Sequence, residues 1–118
     1  MLRPLLAVSA LAIGLAVPAS ASAAPSKLVG TDGPGYTIKL TRAGRKVTKL
    51  KAGKYTFVIH DRSSIHSFGL DGPKGFAKDF TSVPFVGTKT FTVNLKAGKY
   101  KYYCAHHEST MFGYFVVR

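Results

Sequence analysis

The chain has 118 residues, 17 Lys and Arg against 5 Asp and Glu, one cysteine and no tryptophan. That length suits one domain and excludes a multidomain enzyme or a large α/β sheet. The formal charge of +12 accompanies 46% apolar residues, with eight Phe and six Tyr, which is enough for a packed core; the lone cysteine excludes an internal disulfide framework and any Cys-rich zinc module.

Met1 to Ala23 reads as a cleaved secretory signal peptide. Arg3 supplies the positive start, an apolar run follows from Leu5 to Val17, and Ala21-Ser22-Ala23 is a small-residue cleavage site. The run is shorter than the ~20 residues that span a bilayer, which disfavours an uncleaved anchor. No cysteine follows it, which disfavours lipoprotein attachment. Removing these 23 residues leaves 95 and takes away one basic residue, so the mature charge is +11. Export makes the thiol of Cys104 a liability unless it is buried, paired to another chain or bound to something.

Residues 24–35 carry Gly30, Gly33, Pro34 and Gly35 and read as a short N-terminal linker. From Tyr36 the pattern has period 2. Tyr36, Ile38 and Leu40 form one strand face, and Val47 and Leu50 mark a second short strand among basic residues. Tyr55, Phe57 and Ile59 alternate in a third strand, and Phe91, Val93 and Leu95 in a later one. Tyr100, Tyr102 and Cys104 follow on one inward face, and Phe112 to Val117 is apolar on both faces, as in an interior strand. Between Gly72 and Phe80 there is room for one short helical turn and no more. Short strands separated by turn signals predict an all-β sandwich or barrel of about seven or eight strands over 36–118. The segment Lys51-Ala-Gly-Lys-Tyr55 recurs as Lys96-Ala-Gly-Lys-Tyr100, which reads as one turn solution used twice.

Four residues carry the chemistry: His66, Cys104, His107 and Met111. The last three fall within eight residues as Cys-x-x-His-x-x-x-Met. Thiolate and thioether are soft donors that suit Cu(I), imidazole holds either copper oxidation state, and two His, one Cys and a weak axial Met form the electron-transfer copper set. Zinc structural sites prefer four Cys or His ligands, and a thioether adds little to an ion without redox chemistry. A hydrolytic reading lacks parts, because no serine sits in a nucleophile context and Asp32, Asp61, Asp71, Asp79 and Glu108 form no spaced pair. Taken singly, Cys104, Met111 and His66 each suit a plain core role; the joint spacing in an exported chain favours the metal. His60 reads as structural, paired with Asp61.

The segment from Tyr102 to Gly113 resembles the C-terminal copper loop of the cupredoxins, the plastocyanin, pseudoazurin and amicyanin group. The resemblance extends over nearly all of the mature chain. It implies a Greek-key β-sandwich and a small blue (type 1) copper protein that is an electron carrier and not an enzyme. One copper ion would cycle between Cu(I) and Cu(II). Cys104, His107 and Met111 match the thiolate, imidazole and thioether ligands, and His66 matches the upstream histidine. The edge of His107 would be the exit for the electron. His106 stands where a proline is common, and the family spacing selects His107 over it.

Basic residues crowd Lys39 to Lys54, but the aromatics there alternate inward and make no stacking platform, so nucleic acid is not an expected partner. The charge suits steering towards redox protein partners that are acidic or membrane-associated. The expected protein is monomeric and exported, periplasmic or in the cell envelope, without stable membrane insertion. Two rival functions are copper storage or delivery, and a metal-free secreted β-sandwich binding module.

Overall fold

A computed structural model describes residues 1, 2, 4, 7–16 and 24–118. Arg3 and the expected cleavage site Ala21-Ser22-Ala23 lie outside the described residues. Val8, Leu11, Ile13 and Leu15 are exposed and join no core. Among the described residues no helix is long and apolar enough to cross a membrane.

The fold is all-β. Its described strands, in chain order, are β1 (Ser26–Asp32), β2 (Ile38–Arg42), β3 (Arg45–Lys46), β4 (Lys49–Leu50), β5 (Gly53–Asp61), β6 (Phe68–Asp71), β7 (Ala77–Thr81), β8 (Gly87–Leu95), β9 (Gly98–Tyr103) and β10 (Phe112–Val117). They form two five-stranded sheets, ordered β3-β2-β1-β5-β8 and β4-β10-β9-β6-β7. Both are mixed, since β1 pairs parallel with β5 and β10 parallel with β4, while the other pairings are antiparallel. Two of the ten strands have only two residues. The expected helical turn is one 3-10 turn at Pro73–Gly75.

The period-2 faces become the core. Tyr55, Phe57 and Ile59 on β5 are buried, as are Val93 and Leu95 on β8 and Tyr100 and Tyr102 on β9. Phe80 of β7 bridges the two sheets, with ring centroids 5.0 Å from Phe57 and 5.0 Å from Phe91. Each such pair adds ~0.5–1.5 kcal/mol beyond area burial.

Three expectations need correction. Residues 24–35 are not a linker, because Ser26–Asp32 is the central strand of the first sheet, paired on both sides. Glycines concealed this: Gly30 is a buried strand residue because a Cβ there would meet Ile59 Cδ1 at 2.6 Å and Phe68 Cζ at 2.8 Å. Tyr36 is not in a strand but in the loop between β1 and β2, 58% exposed. Strand β10 is interior in its sheet, yet Phe112 and Tyr114 face solvent, and Lys99 and Lys101 lie over their rings at 4.4–5.9 Å.

Candidate metal centre

Strand β5 ends at Asp61, and residues 62–67 lead to β6, placing His66 inside the end of the sandwich at 1% exposure. Cys104 is the residue after β9 and is fully buried. The β9–β10 connection then closes on itself. His107 N–H donates to Cys104 O at 3.1 Å, Met111 N–H to His107 O at 2.7 Å, and Cys104 N–H to Met111 O at 3.0 Å. This compact turn returns His107 over Cys104 and buries Met111 to 1% exposure.

The side chains of His66, Cys104 and His107 converge, with one donor atom from each lying within 4.8 Å of the others. Cys104 Sγ is 3.5 Å from His107 Nδ1 and 3.9 Å from His66 Nδ1, and the two Nδ1 atoms are 3.2 Å apart. Zinc, an ion of similar size to copper, binds imidazole nitrogen at ~2.0–2.1 Å and thiolate sulfur at ~2.3 Å, so neighbouring donors around such an ion stand roughly 3.3–3.8 Å apart. The observed spacings of 3.2, 3.5 and 3.9 Å lie close to those edges, so the residues present fit a bound ion.

Supporting contacts orient the donors. His66 Nε2 is 2.7 Å from Gly35 O. A carbonyl only accepts, so Nε2 carries the hydrogen and Nδ1 keeps its lone pair towards the cluster. Ser67 N–H donates to Cys104 Sγ at 3.4 Å, and Ser67 Oγ accepts from Ala105 N–H at 3.1 Å. The Tyr36 ring stands edge-on to both histidines, at 5.3 Å from His66 and 4.9 Å from His107. Tyr103, next to Cys104, donates its hydroxyl to Asp71 Oδ1 at 3.0 Å, and burial followed by Asp71 pushes the phenol up to about 12.

The remaining histidines separate clearly. His106 is exposed, whereas His107 turns inward to the cluster. His60 does not pair with Asp61: it lies on the opposite face of β5, with Nδ1 2.9 Å from Thr88 Oγ1. The sequence reading gave no role to Gly35, Tyr36 or Ser67. Ser67 was within reach, since the residue after a ligand histidine at a strand mouth is held beside the site.

No protein-family model matches the sequence, and a search of curated proteins found no match. Solved structures do match in three dimensions. The copper protein rusticyanin aligns with a TM-score of 0.55 and 21% identity, covering 82% of this chain and 80% of that chain. The chain has the rusticyanin fold. Reduced rusticyanin gives 0.54 and 24% identity over 83% of this chain and 82% of that one. Rusticyanin from Thiobacillus ferrooxidans gives 0.51 and 23% over 82% and 79%. Rusticyanin is a cupredoxin, so the sandwich that the resemblance implied is the one observed.

Proposed function

We propose that this chain is an exported type 1 copper protein that carries single electrons between redox partners. His66, Cys104 and His107 would hold the ion, with the Met111 thioether as a weaker, soft donor. The observation that carries the reading is the convergence of two imidazole nitrogens and one sulfur within 4.8 Å inside a cupredoxin-like sandwich. Bound copper would supply the one-electron couple, Cu(I)/Cu(II).

The protein's contribution is preorganisation. Gly35 O fixes the ring and tautomer of His66, Ser67 N–H holds the sulfur, and the β9–β10 turn is closed by its own backbone bonds. Donors fixed in this way change little between oxidation states, so little reorganisation opposes electron exchange. Two contacts limit water at the cluster: His66 and Cys104 are buried, and the Tyr36 ring lies against both imidazoles. His107 is the less buried of the two imidazoles, which supports its edge as the electron's exit.

The reading is tested by adding Cu(II) to the metal-free protein. An intense visible thiolate-to-copper band is expected, absent in Cys104→Ser. A colourless product with Cys104 still freely titratable overturns the copper assignment. Copper retained through repeated reduction and oxidation supports the carrier role; loss of the ion on reduction would transfer the protein to copper delivery.

A further inference from the structure

The acids form no spaced pair along the chain, but the fold makes one pair. Asp32 and Asp61 are the last residues of β1 and β5, and the parallel register sets them opposite one another. They are 0% and 2% exposed. Asp61 Oδ1 accepts from Ser63 N–H at 3.2 Å, while both Asp32 carboxylate oxygens and Asp61 Oδ2 have no donor among the described residues.

Among the described residues no cation pairs with them. Arg62 donates only its backbone N–H, to Asp32 O at 3.0 Å, and its side chain is exposed. On β2, Ile38 is opposite Asp32, and Lys39 pairs with Thr31 on the outer face. On β8, Gly87 is opposite Asp61, and Lys89 lies over the Phe85 ring at 4.4 Å. His60 faces outward to Thr88, and His66 faces Gly35 and the cluster. Among the described residues the one ion pair is Lys101–Glu108. Two ionised carboxylates side by side without water or a cation would both repel and lack solvation. One proton between them removes a charge and turns an orphaned acceptor into a donor.

We propose that Asp32 and Asp61 share a single buried proton at neutral pH, and that this proton fastens together the two chain segments that position His66. The segments leave the pair in opposite roles. After Asp32 the chain runs to Gly35, whose carbonyl holds His66 Nε2, and to Tyr36. After Asp61 it runs through Ser63, whose carbonyl accepts from His66 N–H at 3.1 Å. Loss of the proton places two adjacent negative charges where those segments diverge, so the bases of both supports of His66 are pushed apart. Burial, then the hydrogen bond and charge of Asp61, push the Asp32 carboxyl up to about 8, with the Arg62 N–H opposing. The inference does not depend on what the cluster binds.

Infrared spectroscopy of the metal-free chain tests the proton directly. Wild type should show a carboxylic-acid C=O band at neutral pH that fades as pH rises through about 8. The band should be missing from Asp32→Asn, whose amide donates to Asp61 without a proton, and Asp61→Asn serves if that variant fails to fold. The Gly35 and Tyr36 amide signals in nuclear magnetic resonance should shift with the same midpoint in wild type and stay fixed in the variant. Absence of the acid band, or its persistence in both variants, overturns the shared proton. A band without movement of the Gly35 and Tyr36 signals overturns the fastening role.

Discussion

Ser67 ties two chain segments to one sulfur. Its N–H reaches Cys104 Sγ, and its hydroxyl accepts from Ala105 N–H, so the residue after His66 is bonded to the residues that carry and follow the thiol. Ser67→Ala leaves the part-buried Ala105 N–H without that acceptor, and one net hydrogen bond is worth ~0.5–1.5 kcal/mol. A lower thermal unfolding midpoint for the metal-free variant is expected; an unchanged midpoint would show that water replaces the hydroxyl without loss. The adjacent histidines give a second residue-scale prediction. His107→Ala should abolish the visible copper band and His106→Ala should retain it, because only His107 directs a nitrogen at Cys104. The reverse result would move the ligand by one residue.

At the scale of elements, the repeated Lys-Ala-Gly-Lys-Tyr segment folds twice into the same device. Tyr55 OH donates to Lys51 O at 2.6 Å and Tyr100 OH to Lys96 O at 2.9 Å. Gly53 and Gly98 take φ of 148° and 146°, a region that side chains rarely adopt, so the glycine is required in both turns. Tyr100→Phe removes the bond to Lys96 O and the one its hydroxyl accepts from Lys96 N–H at 3.1 Å, and should cost ~0.5–1.5 kcal/mol for each, read from denaturant unfolding. Strand β1 shows why the first sheet tolerates no bulk at its centre. Gly30→Ala would drive a methyl into Ile59 and Phe68, and overpacking of this kind costs ~1–3 kcal/mol.

For the whole molecule, charge is the dominant feature. Of the five acidic residues two are buried as the Asp32–Asp61 pair, and Glu108 is engaged by Lys101, so the excess of Lys and Arg is largely uncompensated at the surface. If the proposed carrier role holds and the partner is acidic, electron exchange should slow with added salt, as screening shortens the range of attraction. A rate indifferent to ionic strength would remove steering from the account. The buried pair also gives the molecule a pH profile. Asp32 titrates near 3.8 when unfolded and about 8 when folded, so folding retains a proton between those values. The pair's contribution to stability should be full below about 4, be lost as pH rises towards about 8 and stay lost above it. Thermal unfolding across that range checks the sign, and a profile rising with pH would contradict it.

The all-β class, most strand faces and the grouping of His66, Cys104 and His107 are legible in the residue pattern alone. Alternation fixes which side chains face inward, and Cys-x-x-His spacing is local enough for one turn to hold both residues. Asp61 continues the face of Tyr55, Phe57 and Ile59 and is buried with them. Only the tertiary structure decided that Ser26–Asp32 is a central strand, that Asp32 stands opposite Asp61, and that Gly35 and Tyr36 support the two histidines. Those facts rest on parallel pairing between distant segments. The register of such a pairing is set by the packed sandwich, and no local pattern of residues encodes it.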